Sequence, residues 1–217
     1  MPCFLAGQST AQTMAAALGV PFFAVSHQQG HVAAALWSAG RMDLMDTPHL
    51  AWHLSGGTTE LLLIEPDGKN VRAAKLGGTS DISAGQLIDR TGKLLGLQFP
   101  AGKALDALSA GSDTEDCFRV KSNGLTFSFS GLQNKVQEYF AASQNAAATA
   151  RYALRSVIGC ILRVTETVQR EYPGLPIVFS GGVASNSMLR ERMREFSPVF
   201  AEPQFSTDNA MGIAVLT

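Results

Sequence analysis

The sequence predicts an α/β fold in which two lobes face a cleft. Stretches rich in Val, Ile, Leu and Phe alternate with helix-patterned stretches along the 217 residues, and strands taken in turn with helices make an α/β protein. A strand followed by Ser-Gly-Gly occurs twice, as Trp52-His53-Leu54-Ser55-Gly56-Gly57 and Ile177-Val178-Phe179-Ser180-Gly181-Gly182, with a weaker third copy at Leu76-Gly77-Gly78-Thr79-Ser80-Asp81. Such repetition points to two related lobes. A hydrophobic share of 46% is enough for a real core and excludes wholesale disorder.

Gln8–Leu18 reads as an Ala-rich helix, and Pro21–Ser26, with its Phe and Val, as a short strand. Gly30–Gly40 is a second helix, with Val32, Leu36 and Trp37 at helical spacing. Leu50–Leu54 and Glu60–Ile64 are strands joined by the first Ser-Gly-Gly turn, and Val71–Leu76 follows the Pro66-Asp67-Gly68 turn. Ser83–Leu95 is an amphipathic helix, broken at Pro100-Ala101-Gly102 from a shorter one near Leu105. The polar, acidic Ser112–Asp116 is the best linker, so 1–111 and 112–217 form two parts. In the second, Thr126–Ser130 is an aromatic strand, Ser130–Phe140 and Ala146–Glu171 are helices, Pro176–Phe179 is a buried strand and Ser187–Phe196 a charged helix. Asp208 stands where it could cap a last helix.

A net charge of −1 excludes a chain that binds nucleic acid by bulk charge, so any RNA contact needs a local basic face. Arg151, Arg155, Arg163, Arg170, Arg190, Arg192 and Arg194 bias the second part that way, although charged helix faces are usually solvated. The longest apolar stretch, Met14–Val25, is interrupted by Gly19 and Pro21 and is too short to span a membrane. No basic segment precedes an apolar one as in a signal peptide. The 3 cysteines form no CxxC pair, which fits a reducing, cytoplasmic setting. The chain opens and closes on apolar sequence without caps, so it is expected to be a piece of a longer fold that exposes apolar surface, self-associates and is inactive alone.

Glycine lets backbone N–H groups approach an anion closely, so the Ser-Gly-Gly turns are candidate phosphate cradles; a tight turn without a ligand is the alternative. In His27-Gln28-Gln29-Gly30-His31 the imidazoles stand at i and i+4, on one helix face, where both reach one ion. A third ligand, such as a carboxylate, is needed to complete an open site. A zinc-protease pattern would place Glu after the first His, and Gln28 stands there instead. His53, beside the turn, reads as a packing or capping residue. Asp208-Asn209 reads as an N-cap, and Asp89-Arg90 as part of a solvated helix face.

Taken together, the segments resemble the tRNA threonylcarbamoyl-transferase family, long labelled glycoprotease or O-sialoglycoprotein endopeptidase. The resemblance rests on the His27–His31 pattern, on Leu54-Ser55-Gly56-Gly57-Thr58-Thr59, on Gly85-Gln86-Leu87-Ile88-Asp89-Arg90 and on Leu95–Gly102. It rests equally on Phe127-Ser128-Phe129-Ser130-Gly131-Leu132, Gly181-Gly182-Val183-Ala184-Ser185-Asn186 and Thr207-Asp208-Asn209-Ala210-Met211. It implies an actin-like, sugar-kinase-like ATPase fold of two lobes, here without the family's first strands. It implies one metal ion, iron in preference to zinc, on His27, His31 and Asp208. Contacts to threonylcarbamoyl-AMP, or to ATP or AMP, are implied for His53, Leu54, Ser55, Gly56, Gly57, Asp89, Gly102 and Asn186; the glycine turns add Gly181 and Gly182.

The implied activity is transfer of the threonylcarbamoyl group to the exocyclic amine of a tRNA adenosine beside the anticodon. The implied partners are tRNA and another actin-like subunit or a second copy, with no membrane. Five positions depart from the pattern by placing neutral residues where the family has ionisable ones: Gln29, Gln86, Thr58, Ser80 and Gln133. They raise the alternative of a non-catalytic nucleotide-binding paralogue. A metalloprotease matches only the old label.

Overall fold

The computed structural model describes residues 2–68, 70–206 and 210–217. Its elements are α1 (Pro2–Leu18), α2 (His27–Ser38), β1 (His49–Leu54), β2 (Thr59–Asp67), β3 (Asn70–Thr79), α3 (Ala84–Leu94), α4 (Gly102–Ser109), β4 (Ser122–Asn123), β5 (Thr126–Phe127), α5 (Ser130–Ser143), α6 (Ala146–Glu171), β6 (Ile177–Ser180), α7 (Ser187–Arg192), β7 (Val199–Phe200) and α8 (Met211–Val215). The strands form one sheet in the order β4-β5-β3-β2-β1-β6-β7. β1, β2 and β3 are antiparallel neighbours, while β1 and β6 run parallel. The sheet therefore draws strands from both sides of the Ser112–Asp116 segment.

β1 is buried along its whole length, and its two faces feed two cores. Leu50, Trp52 and Leu54 pack with Leu87, Leu105, Leu132 and the inward stripe of α6, from Tyr152 to Val168. The Trp52 Nε1–H donates to Thr165 Oγ1 at 2.9 Å, so the indole is satisfied inside that core. Ala51, on the opposite face, joins Val32 and Leu36 of α2 and Val178 of β6. Helices on both faces of a sheet are the layering expected from alternating elements. Cys160 lies in the α6 core, where burial pushes its thiol up to about 12, a structural and unreactive cysteine. Among the described residues no helix is long and apolar enough to cross a membrane.

Three sequence expectations are corrected. Pro21–Ser26 is not a strand. No strand of the sheet pairs with it, Pro21 lacks a donor, and Phe22 and Phe23 remain exposed. The two Ser-Gly-Gly copies do not belong to separate lobes: they follow adjacent parallel strands in one sheet, where His53 is in register with Ser180. The third copy is strand backbone within β3, where a Cβ on Gly77 would overlap the Leu125 carbonyl. The last helix starts after Ala210, which makes no side-chain cap; Thr207, Asp208 and Asn209 lie outside the described residues.

His49 begins β1 fully buried. Its Nδ1–H donates to the Thr47 carbonyl at 3.0 Å, and its Nε2 has no hydrogen-bond partner among the described residues. Burial holds this imidazole below its ordinary pKa, against the opposing pull of the Thr47 carbonyl. The folded chain therefore takes up this proton at lower pH than the unfolded chain, which protonates it below about pH 6.5. Stability is expected to fall as pH drops through that value, by up to ~1.4 kcal/mol per pH unit for this group. Urea melts at pH 7.5 and 5.5, as approximate working points, should show a smaller loss in His49→Phe than in the parent chain. Equal losses would remove His49 from the account.

Candidate active site

α2 begins with a capping box. Ser26 Oγ accepts from Gln29 N–H at 3.2 Å, and Gln29 Oε1 accepts from Ser26 N–H at 2.6 Å. This start sets His27 and His31 one turn apart on the side facing β1. Side chains alternate along β1, so His53 shares the face of Ala51 and meets them. His27 Nε2 and His31 Nε2 are 3.1 Å apart. The His31 and His53 ring centroids are 4.3 Å apart, and the three residues offer ring nitrogens all within 4.8 Å of one another. Two ligands of a tetrahedral first-row ion at ~2.0–2.1 Å stand about 3.3 Å apart, so the 3.1 Å between His27 and His31 suits such an ion, and His53 brings a third nitrogen within 4.8 Å of both.

These rings form one end of an open cleft of about 960 Å³. Its wall carries Ser55, Gly56 and Gly57 from the first turn, Gly182 and Asn186 from the second, and Asp89 and Gly102. Both turns extend from the C-terminal ends of β1 and β6, the edge at which α/β sheets bind ligands. The sequence-predicted residues thus converge, with three exceptions. Leu54 is buried in the α6 core. Gly181 is buried beneath the second turn, at φ +89°, where a Cβ would overlap the Leu54 carbonyl. Asp208 lies outside the described residues, while Ser206 just before it lines the cleft. A Cβ on Gly56, Gly57, Gly102 or Gly182 would meet nothing within 4 Å, so those positions leave space for a ligand. In the first turn, Ser55 Oγ accepts from the N–H groups of Gly57 and Thr58 at 3.2 and 3.0 Å. An anion taken up there would replace that hydroxyl as their acceptor.

Asp89 is half-buried and accepts from the Ala101 N–H at 2.8 Å, which ties α3 to the start of α4. Asn186 caps α7 through Oδ1, 3.0 Å from the Leu189 nitrogen. Asp106 accepts from both the N–H and the hydroxyl of Ser187 at 2.9 Å. Sequence reasoning missed Lys103, the only lysine or arginine on the cleft wall among the described residues, and Phe99, which is 82% exposed at the rim.

Asp81 accepts from the hydroxyl of Ser128, the N–H of Phe129 at 2.9 Å and that of Ser130 at 3.2 Å. Burial opposes ionisation there, and these donors outweigh it, holding the carboxyl well below its ordinary range. The carboxylate so pins the Phe127–Gly131 segment beside α3.

Of the five neutral replacements, only Thr58 lines the cleft. Gln29 and Gln86 are the third residues of capping boxes on α2 and α3, and Gln29 also donates to the Val71 carbonyl at 2.6 Å. A glutamate could not make that last bond. Ser80 pairs with the Phe127 carbonyl, and Gln133 Oε1 accepts from Arg90 at 2.5 Å.

The sheet and its helical layers recur in solved structures. HypF from T. kodakarensis matches with a TM-score of 0.69 at 15% identity, over 96% of this chain and 39% of that one. The activator of 2-hydroxyisocaproyl-CoA dehydratase from Clostridium difficile, with bound ADPNP, matches at 0.53 and 16%, over 88% and 64%. Likenesses at such identity show the fold, which is the actin-like α/β class. Within that class the family is set by sequence. The profile of the tRNA N6-adenosine threonylcarbamoyltransferase family matches residues 1–215, and the chain belongs to that family. Relatives of that name from Geotalea uraniireducens and Enterococcus faecalis are 35% and 36% identical, over 97% and 88% of this chain. The chain spans 64% and 55% of their respective lengths.

Proposed function

We propose that the cleft binds threonylcarbamoyl-AMP beside a metal ion and passes the threonylcarbamoyl group to the exocyclic amine of a tRNA adenosine next to the anticodon. One observation supports this above others: in a chain of this family, the imidazole cluster and both Ser-Gly-Gly turns open onto one cleft at the ends of two adjacent parallel strands. His27 and His31 would hold the ion, with Asp208 by its place in the family pattern, and iron is preferred to zinc for two imidazoles and a carboxylate. Bound there, the ion would supply Lewis-acid stabilisation of charge on the threonylcarbamoyl oxygens.

The protein's own part is binding and orientation. Gly56, Gly57 and Gly182 leave room for the phosphate close to backbone. Asp89, Gly102 and Asn186, which also line the cleft, would meet the nucleoside by their places in the family pattern. Phe99 offers an exposed ring to an incoming base. In the transfer a C–N bond forms, the C–O bond to phosphate breaks, AMP leaves with the electron pair and the amine gives up a proton.

Gln29 and Gln86 close capping boxes on α2 and α3, a role that Glu and Gln fill alike, so their positions serve the helix starts and do not by themselves favour a non-catalytic paralogue. A protease reading finds no base in the motif: Gln28 donates to Glu60 at 3.0 Å, and Glu60 is paired with Lys75 at 2.9 Å. The exposed Leu5, Leu18 and Phe23 support association with another actin-like subunit or a second copy, which sedimentation of the purified chain would reveal as a mass above one protomer. The free thiols Cys117 and Cys160 suit a cytoplasmic setting.

Incubation of the chain with metal, a second actin-like subunit, threonylcarbamoyl-AMP and unmodified tRNA is expected to yield threonylcarbamoyl-adenosine, read by mass spectrometry of the digested tRNA. Absence of the modified nucleoside from the complete mixture would overturn the reading.

A further inference from the structure

We infer that His53 is a third imidazole ligand of the proposed metal centre, and that Ser180 is the positioning residue that selects its tautomer. The inference rests on the proposed metal reading and extends it to two side chains to which neither the spacing nor the family pattern gave this role.

Parallel pairing sets His53 of β1 opposite Ser180 of β6. The two residues are buried, at 5% and 3% exposure. Ser180 Oγ lies 3.2 Å from His53 Nδ1 and 3.3 Å from the Trp52 carbonyl oxygen. A carbonyl only accepts, so the single hydroxyl proton of Ser180 is committed to Trp52. Towards His53 the same oxygen presents a lone pair, and Nδ1 must donate to it. A neutral imidazole carries its proton on one nitrogen and its lone pair on the other. His53 therefore bears its lone pair on Nε2, the form in which an imidazole ligates a metal, with its other nitrogen held by a hydrogen bond.

The ring so oriented stands with His27 and His31, one nitrogen from each within 4.8 Å of the others. Three neutral imidazoles favour a first-row transition ion of the iron or zinc type over magnesium or calcium, which take oxygen ligands. The site so made does not depend on the i, i+4 pair alone, because β1 supplies a third donor from a strand buried along its whole length.

The first test is the tautomer of His53 in the metal-free chain, read by two-bond proton–nitrogen correlation. The expected result is protonation at Nδ1; a proton on Nε2 overturns the inference. The second is zinc affinity by competition with a chromophoric chelator. Ser180→Ala is expected to weaken zinc by about 10–100-fold, His53→Gln by more, and Ser180→Thr to restore most of the loss. Circular dichroism checks that each variant folds, and if Ser180→Ala does not, the tautomer of the parent chain decides. Should the parent chain bind no zinc or ferrous ion, the metal reading itself fails and the inference with it. Should it bind while His53→Gln binds within about twofold of it, the metal reading stands and the role of His53 is refuted.

Discussion

Purified His31→Ala is expected to contain no bound iron or zinc under conditions where the parent chain holds one ion. His31 is the middle ring of the cluster, 4.4 Å from His27 and 4.3 Å from His53 by centroids, and it is only 6% exposed. Alanine removes the donor that touches both neighbours and leaves only His27 and His53 of the three imidazoles, with ring centroids 6.3 Å apart, a remnant that holds an ion far more weakly. Ligands must be deprotonated and convergent for tight binding, so the loss reads as occupancy in elemental analysis rather than as a modest shift in affinity. His49→Phe is the matched control, because it removes a buried histidine outside the cluster and should leave occupancy unchanged. Full occupancy in His31→Ala would rule out this centre.

The second large effect belongs to the paired glycines. Gly181→Val is expected to destabilise the fold by about 3 kcal/mol or more. Its backbone, at φ +89° and ψ 157°, occupies a region nearly confined to glycine, and a Cβ there would overlap the Leu54 carbonyl. Gly182→Val should shift stability by only ~0.5 kcal/mol, the range of exposed substitutions away from special features, since a Cβ at Gly182 meets nothing within 4 Å. Denaturant melts of the two variants side by side check the contrast. Similar stabilities would mean that the second turn is not held by the close approach of Gly181 to β1.

Much of this layout was legible from pattern alone. α6 shows a long helical stripe, β1 is a run of buried residues, and the imidazoles at i and i+4 announce a shared helix face. What was not legible depends on partners that are remote in sequence. Pro21–Ser26 has strand composition, but composition does not supply a neighbouring strand, and none pairs with it. The Ser-Gly-Gly repeat was plain, yet whether its copies stand in two lobes or on adjacent strands is decided by the pairing of β1 with β6. Gly181 and Gly182 look alike in sequence and differ completely in role, because only one of them lies against Leu54. His53 read as a packing residue because the face of β1 it occupies, and the helix covering that face, are tertiary facts. The capping roles of Gln29 and Gln86 are written in the sequence, since Ser26-x-x-Gln29 and Ser83-x-x-Gln86 both fit a capping box.

The central claim is that one cleft, with imidazoles at one end and the glycine turns along its wall, receives an adenylate. Calorimetric titration of AMP into the metal-loaded chain and into Gly182→Val tests it most directly. The variant should melt like the parent, since the space at Gly182 is open to solvent rather than filled by protein. Saturable binding by the parent, weakened at least ~10-fold in the variant, is the predicted result; that ratio corresponds to about 1.4 kcal/mol. Equal affinity in two equally stable proteins would contradict the claim, because a ligand that lies against the second turn cannot be indifferent to a valine placed there.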